Sequence, residues 1–199
     1  MLAPCLIPGR REAGCDEAGR GPLAGPVVAA AVVLPPDYSN PMLNDSKQLT
    51  ERQRDLLRCE LEREAEWAVA VVDAEEIDRL NILHASTHAM CLAVGQLKPK
   101  PEFLLIDGNR FYNETDIPYQ CIVKGDAQFM AIAAASILAK THRDELMERL
   151  HREYPAYGWD RNKGYPTAEH YRAIEEHGVT PYHRHSFTLY RQHSLFEQI

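Results

Sequence analysis

Apolar runs of strand length alternate along the chain with longer stretches of amphipathic or small residues. The longest apolar run covers 27–34, is rich in β-branched residues and stops at Pro35-Pro36, which predicts a buried strand. Residues 14–16, just before a glycine-rich turn, are predicted to form its hairpin partner. Three further strands are predicted, over 67–72, 103–106 and 119–123.

Helices are predicted between and after these strands. Thr50 is followed by Gln53 in the spacing of a capping box, and Leu56, Leu57 and Leu61 give the next helix an apolar stripe. Other helices are predicted over 78–97, over 128–140 with a continuation over 141–154, and after Thr167, with Gly178 beyond the end.

The order of these elements indicates an α/β fold. Early strands adjoin one another and later strands are separated by helices, which favours a mixed β-sheet with helices packed on it. We expect a single domain over 1–199, with a core at about 13–155 and a helical extension at about 156–199.

Composition excludes several classes of protein. No stretch approaches the roughly 18 consecutive apolar residues of a membrane helix, and no apolar segment follows a basic start, so we expect neither a membrane anchor nor a secretory leader. The five cysteines are widely spaced without a C-x-x-C pair, which argues against a disulfide framework and a zinc site. These features predict a cytoplasmic protein.

The formal net charge of -7 is unusual for a nucleic-acid-binding protein, because Lys and Arg supply much of the affinity for phosphates. Net charge does not fix the sign of one face, however. Acidic residues crowd 51–66 and become sparse after Lys163, so a nucleic-acid-binding face is possible in the C-terminal part. There, His183, Arg184 and His185 are expected on a solvated basic face rather than in a metal cluster.

Carboxylates follow three of the predicted strands. Asp16 and Glu17 end the first, Asp107 ends 103–106, and Asp126 follows 119–123. Ligand sites gather where parallel strands end, so these side chains could converge on Mg²⁺ or Mn²⁺, which prefer hard oxygen ligands. Taken singly, Asp126 could cap a helix, Asp107 could belong to a turn, and the first pair could be exposed charges. The repetition of carboxylates favours a metal site.

The segment Gly19-Arg20-Gly21 does not fit a dinucleotide-binding loop, because Gly25 comes one residue too late and a strand follows where that fold needs a helix. Glycines allow backbone groups to lie against a ligand, here beside the carboxylates, although a tight hairpin turn explains them equally well. Tyr165, between a glycine and a proline, could offer a stacking face to a sugar or base, or could pack on the core.

The ordered set of motifs resembles bacterial ribonuclease HII over about 13–187, nearly the whole chain. The motifs are Asp16-Glu17-Ala18-Gly19-Arg20-Gly21, Asn44-Asp45-Ser46-Lys47, Asn81-Ile82-Leu83, Ile106-Asp107-Gly108, Lys124-Gly125-Asp126, Ala135-Ser136-Ile137-Leu138-Ala139-Lys140 and Lys163-Gly164-Tyr165-Pro166-Thr167. The resemblance implies a ribonuclease H-like fold and an endonuclease that hydrolyses the RNA strand of RNA–DNA hybrids. It also implies incision 5′ to single ribonucleotides in duplex DNA, leaving 3′-hydroxyl and 5′-phosphate ends. Cys15 stands where an aliphatic residue is more usual in that family.

The resemblance also implies residue roles. Asp16, Glu17, Asp107 and Asp126 are expected to bind two divalent ions, Mg²⁺ or Mn²⁺, in a two-metal mechanism. Gly19, Arg20 and Gly21 are expected to contact the ribose 2′-hydroxyl through one N–H and one C=O, and Tyr165 to stack on the sugar beyond the ribonucleotide. Lys47, Ser136 and Lys140 are expected to touch phosphates. RNA–DNA hybrid and ribonucleotide-containing duplex DNA are the implied substrates of a protein that we expect to be a monomer.

Two alternatives remain at this point. Ribonuclease HIII shares the fold and the carboxylates, but it has an additional N-terminal domain and its glycine loop lacks the arginine, so Arg20 favours the HII type. A non-catalytic nucleic-acid-binding module of the same fold is the second alternative. The presence of all four carboxylates and of Tyr165 argues against it.

Overall fold

A five-stranded mixed sheet forms the centre of the molecule, with the strand order β3-β2-β1-β4-β5. The computed structural model describes residues 2–44, 46 and 48–190. The first three strands are antiparallel, whereas β4 and β5 run parallel to β1. The strands are β1 Glu12–Ala18, β2 Val27–Val33, β3 Glu66–Val72, β4 Phe103–Asp107 and β5 Tyr119–Ile122. The predicted mixed sheet and all five predicted strands are confirmed, with ends that differ by at most two residues.

Helices cover both faces of the sheet, as predicted. The helix α3 packs with one apolar cluster that includes Ala13 and Ile106, and α4 packs with a second cluster that includes Ala30 and Val32. The helices are α1 Glu51–Glu64, α2 Ala74–Leu80, α3 Ile82–Gln96, α4 Met130–Glu153, α5 Trp159–Asn162 and α6 Ala168–His177. Within the described residues, no helix is long and apolar enough to cross a membrane.

The start of α1 carries the predicted capping box. The Thr50 side chain accepts a hydrogen bond from the Gln53 backbone N–H, and the Gln53 side chain accepts one from the Thr50 backbone N–H. Leu57 and Leu61 are buried, but Leu56 is 56% exposed, so its placement in the apolar stripe was wrong. The buried stripe is therefore narrower than the sequence indicated.

One predicted helix is two helices in the structure. The expected helix over 78–97 breaks at Asn81, which has a φ of 66° and separates α2 from α3. The Asn81 side chain accepts hydrogen bonds from the N–H groups of Leu83 and His84, so it caps α3. Asparagine tolerates this backbone region better than most residues, and its short side chain can replace the missing helical bonds.

The connection between β4 and β5 also differs from the prediction. Residues 108–118 form no helix, although the two strands are parallel neighbours. Phe111 and Ile117 from this connection are buried in the same cluster as α3, so apolar side chains of the loop cover the sheet there in place of a helix.

Sheet and helix approach each other closely at Gly14 of β1. A Cβ at this position would lie less than 3.0 Å from the backbone of Ala131 and Ile132 in α4. Side chains alternate along a strand, so Asp16, two residues further, lies on the same α4-facing side of β1. The missing side chain of Gly14 thus brings α4 directly against the strand that carries the first carboxylate.

The C-terminal part has a small core of its own. Trp159, Tyr157 and Ile174 are buried there together with Leu23 and Ala24 from the glycine-rich turn between β1 and β2. This turn therefore packs on the C-terminal helices as well as on the sheet.

Candidate active site

The first carboxylate lies inside β1 and not at its end, contrary to the prediction. Asp16 pairs with Ala30 of β2, and β1 continues to Ala18. The parallel pairing with β4, however, stops at Cys15 and Ile106. Asp16 and Asp107 are thus the first residues after the end of the pairing between β1 and β4. They reach the same edge because this parallel pairing ends there, and not because β1 itself ends.

Asp107 is linked to the segment that carries Asp126 by a hydrogen bond to the backbone of Gly125. The Asp107 Oδ1 atom accepts a hydrogen bond of 2.7 Å from the Gly125 N–H. The next residue, Asp126, is buried in a 3-10 helix over Gly125–Ala127. It does not cap α4, which begins only at Met130, so the simpler interpretation of Asp126 as a helix cap is wrong.

Electrostatic repulsion shows that the first three carboxylates are close together. Burial raises the pKa of Asp16 well above its ordinary value, and the neighbouring Glu17 and Asp107 raise it further. Hydrogen bonds from Ser136 and from the Glu17 N–H, at 2.7 Å, oppose this rise. Such crowding of carboxylates around the buried Asp16 is unfavourable for the protein alone and becomes favourable with a bound cation.

The donor set fits a divalent cation in its chemistry. Asp16, Glu17, Asp107 and Asp126 offer hard carboxylate oxygens, the ligand type that Mg²⁺ and Mn²⁺ prefer. Among the residues that the structure describes, no three His, Cys, Asp or Glu side chains are gathered tightly enough to hold an ion.

Ser136 supports the first carboxylate from α4. Its Oγ lies 2.9 Å from the Oγ of Ser46, both serines are buried, and Ser136 also hydrogen-bonds to Asp16. Ser136 is thus buried behind Asp16, whereas a residue that contacts a phosphate is expected at an exposed position. The role of Ser136 as a phosphate ligand stays a prediction, while its contact with Asp16 was not foreseen.

The two lysines of the predicted site are described unequally. Lys140 lies one turn after Ser136 on α4, is partly buried and forms an ion pair with Asp144. Burial lowers the pKa of Lys140. Lys47 lies outside the described residues.

The glycine-rich turn is both a hairpin connection and a close-approach loop. Gly19 has a φ of 99°, and a Cβ there would lie less than 3.0 Å from the Arg143 side chain. Arg20 and Gly21 are exposed, and the Arg20 guanidinium reaches Glu17 Oε1 at 3.3 Å. A Cβ on Gly21 would lie 3.3 Å from the ring of Tyr165. The loop and Tyr165 are therefore neighbours.

Tyr165 is 46% exposed, so it does not pack in the core. Its backbone is anchored instead, because its carbonyl lies 3.0 Å from Nδ1 of the buried His170. The ring thus stands beside Gly21 on a fixed backbone, as a stacking role requires.

A buried histidine pair lies behind Tyr165. His183 Nδ1 accepts from the Thr180 N–H at 2.9 Å, so the proton of its neutral ring is on Nε2, which lies 3.2 Å from His170 Nε2. That nitrogen also accepts from Trp159 Nε1 at 3.1 Å, and His170 Nδ1 donates to Tyr165. Each ring is therefore assigned as neutral from its partners. Burial lowers the pKa of both, that of His183 to about 4.

The expected basic surface over 183–185 is therefore wrong for two of its three residues. His183 and Arg184 are buried, and only His185 is exposed. Arg143 is buried under the glycine-rich turn as well, and no sequence motif marked it as part of the site. Its position seven residues after Ser136 on α4 places it on the same helix face, which is the one signal that the sequence offered.

Comparisons with known proteins decide the family. The family model described as Ribonuclease HII matches residues 13–190. A protein named Ribonuclease HII from Bacteroides thetaiotaomicron is 62% identical over 190 residues, 95% of each chain. The chain belongs to the ribonuclease HII family. As a member of this family it is a ribonuclease H, a hydrolase that cuts the RNA strand of RNA–DNA hybrids.

Solved structures agree with the family and the predicted ribonuclease H-like fold. The ribonuclease H2 of Pyrococcus horikoshii superposes with a TM-score of 0.75 at 27% identity, over 90% of this chain and 94% of its own. A structure described as Bst-RNase HIII in complex with Mn²⁺ has a TM-score of 0.67 at 21% identity, over 90% of this chain and 68% of its own. The similarity to the HIII type extends to the fold alone.

Proposed function

We propose that this ribonuclease incises duplex DNA 5′ to a single embedded ribonucleotide, in addition to cutting RNA–DNA hybrids, and leaves 3′-hydroxyl and 5′-phosphate ends. The observation that carries the proposal is the arrangement of Gly21 beside the exposed ring of Tyr165, at the end of the strand that holds Asp16. One loop thus connects the carboxylates with a surface that can contact a ribose.

The proposed metal ligands are Asp16, Glu17, Asp107 and Asp126. When bound, two divalent ions would supply activation of water and stabilisation of the leaving oxygen. Burial raises the pKa of Asp16 and the nearby Glu17 and Asp107 raise it further, and this crowding of carboxylates supports a cation at this position. Ser136 and the Glu17 N–H hold the Asp16 carboxylate in place by hydrogen bonds.

Recognition of RNA against DNA would rest on the segment Gly19 to Gly21. A 2′-hydroxyl is the group that separates the two nucleic acids, and it can donate and accept hydrogen bonds. Tyr165 would stack on the sugar next to the ribonucleotide, because its ring is exposed and its carbonyl is anchored by His170.

Phosphate contacts would come from Lys140 and Lys47, with Ser136 retained as a lower-ranked candidate. Lys140 is paired with Asp144, and Lys163, near Tyr165 in sequence, donates to Glu148 at 2.8 Å. A phosphate would have to replace these carboxylates as the partner of each lysine. A chain with a net negative charge can then bind nucleic acid through a few local cations, and its affinity should fall steeply as the salt concentration rises.

The test is cleavage of three substrates of equal length: duplex DNA with one ribonucleotide, a long RNA–DNA hybrid and all-DNA duplex. We expect cleavage of the first two with Mg²⁺ or Mn²⁺, at the 5′ side of the ribonucleotide, and none of the third. Asp107→Asn should reduce cleavage at least about a hundredfold, because even the loss of a group that only orients a metal ligand costs roughly 10–100-fold. The exposed Asp37→Asn, which makes the same change elsewhere, should retain full activity.

Each other outcome has a defined meaning. Cleavage of long hybrids alone would refute the single-ribonucleotide activity and point to an HIII-like preference. Absence of cleavage with either ion would support a non-catalytic binding module. Near-normal activity of Asp107→Asn would remove Asp107 from the site. We further propose that the enzyme acts as a cytoplasmic monomer in repair of ribonucleotides left by replication, and light scattering tests the monomer.

A further inference from the structure

Arg184 lies beneath the glycine-rich turn and donates hydrogen bonds to backbone oxygens of that turn, while its guanidinium carbon lies 5.2 Å from the centroid of the Phe187 ring. Its side chain is 0% exposed. Its Nη2 donates to the carbonyl of Gly19 at 2.6 Å, its Nη1 to that of Arg20 at 3.1 Å, and its Nε and Nη2 to that of Gly25 at 3.0 and 2.8 Å. One guanidinium thus holds both ends of the loop.

Arg143 of α4 holds the next part of the chain in the same way. It is 2% exposed and donates to the carbonyls of Ala24, Pro26 and Lys163 at 3.2, 2.9 and 3.0 Å. The bond to Lys163 ties the loop to the segment that carries Tyr165. Within the described part of the chain, neither arginine makes an ion pair, so backbone carbonyls are their hydrogen-bonding partners.

These bonds fix the direction of the peptide groups in the loop. A trans peptide is planar, and its C=O and N–H point to opposite sides. Because the carbonyls of Gly19 and Arg20 point inward to Arg184, the N–H groups of Arg20 and Gly21 point outward. These two residues are exposed, and Gly21 adjoins the ring of Tyr165.

We propose that Arg184 is a positioning residue for ribonucleotide recognition, which it serves by turning the Arg20 and Gly21 N–H donors toward the substrate's 2′-hydroxyl. This inference rests on the proposed function. It also changes the expectation of one N–H and one C=O for this contact, since the carbonyls of Gly19 and Arg20 are engaged inside the protein. Arg143 serves as the second anchor and keeps Tyr165 in register with the loop.

An arginine is needed here for a geometric reason. The planar guanidinium spreads its donors in a rigid fork and can bind several carbonyls at once, whereas a lysine ammonium is a single point on a flexible chain. Burying such a cation without a carboxylate is costly, so these residues would be a poor choice for stability alone. An Arg184→Lys substitution keeps the charge and removes the fork.

The experiment compares Arg184→Lys with Arg11→Lys in the full chain. Arg11 serves as the control because it also donates to a backbone carbonyl, that of Pro99, at the opposite end of β1, although it is partly exposed and pairs with Glu66 as well. Amide hydrogen exchange is measured residue by residue, and kcat and KM are measured on the duplex with one ribonucleotide. A displacement of the loop by about 1 Å should lower kcat roughly a hundredfold. Exchange over residues 19–25 should accelerate in Arg184→Lys alone, with α3 unchanged in both variants.

The proposal is overturned if exchange over 19–25 is unchanged, or if activity falls only as far as the folded fraction falls. A measurement on the wild-type protein keeps the proposal testable even if the Arg184→Lys variant does not fold. The guanidinium N–H signals of Arg184 and Arg143 should stay resolved and slowly exchanging in ¹⁵N spectra, and rapid exchange would contradict the proposed bonds. If the wild-type enzyme does not cut at single ribonucleotides, the proposed function fails, while the exchange data still decide whether Arg184 orders the loop.

Discussion

Replacing Gly14 by alanine tests how tightly β1 and α4 are packed. The added Cβ would lie less than 3.0 Å from the backbone of Ala131 and Ile132, and backbone cannot rotate away as a side chain can. Carbon atoms in contact prefer separations of about 3.5–4.0 Å, so strand and helix must separate by roughly 1 Å. Gly14→Ala is therefore a change in the distance between two elements and not only in one side chain.

The size of the effect follows from this geometry. Overpacking in a dense core costs about 1–3 kcal/mol, and a clash with backbone belongs at the upper end, so we expect a loss of about 3 kcal/mol. For a chain of this length, that lowers Tm by roughly 6–12 °C. Asp16 lies two residues along the same strand, and a displacement of about 1 Å near the chemistry can cost roughly a hundredfold in rate. The rate of hybrid cleavage should therefore fall by more than the loss of folded protein alone would cause.

Thermal unfolding and hybrid cleavage at 25 °C measure both effects. Gly95→Ala provides the control, because it makes the same change near the end of α3, where an added Cβ meets nothing within 4 Å. The free energy of unfolding of that variant should rise by about 0.5 kcal/mol, since glycine is a poor helix former. Its cleavage activity should be unchanged. A Gly14→Ala protein that melts within 2 °C of the wild type would show that β1 and α4 are not in direct contact here.

Two further predictions concern the C-terminal side of the site. Burial lowers the pKa of His183 to about 4, below the ordinary value of about 6.5, so the unfolded chain takes up the proton first. The contribution of His183 to the free energy of unfolding should be full above pH 6.5 and should fall by roughly 3 kcal/mol in total as the pH drops toward 4. Urea unfolding at several pH values measures this loss. A His183→Asn protein whose stability depends on pH as steeply as that of the wild type would contradict the prediction. Tyr165→Phe should retain activity on the single-ribonucleotide duplex, whereas Tyr165→Ala should lose about tenfold because stacking contributes roughly 1–3 kcal/mol. Equal rates for these two variants would rule out stacking.

Local patterns were sufficient for most of the fold. The capping box at Thr50 and the β-branched run that became β2 each depend on residues near in sequence, and the structure has both as predicted. The break at Asn81 was missed because an asparagine within an amphipathic stretch is compatible with a helix. Only its positive φ and the two N–H groups that it caps distinguish it, and neither is visible in the sequence.

The role of the four carboxylates as metal ligands stays a prediction, and the structure places Asp16 differently from the strand-end rule on which that prediction was based. Asp16 was placed at a strand end, but the β1–β2 hairpin continues past it. What ends near Asp16 is the parallel ladder with β4, and the length of a ladder depends on a strand that lies about ninety residues away in the chain. The residue type and order could be predicted, whereas the pairing that gathers the residues could not.

The anchoring arginines were beyond sequence reasoning for a similar reason. Arg184 stands between two histidines in a polar segment, which ordinarily indicates an exposed basic face. Its partners are carbonyls of Gly19, Arg20 and Gly25, and a backbone oxygen carries no sequence signal of its own. Buried cations that bind backbone are therefore found only when the structure shows which loop they support.

These contacts bear on the predicted division at about residue 155 into a catalytic core and an extension. The Leu23 N–H donates to the Gly164 carbonyl, the Gly25 N–H to the Tyr182 carbonyl, and the Arg184 N–H to the Leu23 carbonyl, each at 2.8 Å. The glycine-rich turn is thus held by residues on both sides of Tyr165, whereas Asp16 and Asp107 are held by the sheet, by Ser136 of α4 and by the Gly125 N–H. A core without the C-terminal part would keep Asp16 and Asp107 in place and lose the fixed loop beside them. We therefore expect the C-terminal part to contribute to substrate recognition, because the groups proposed to read the 2′-hydroxyl take their orientation from it.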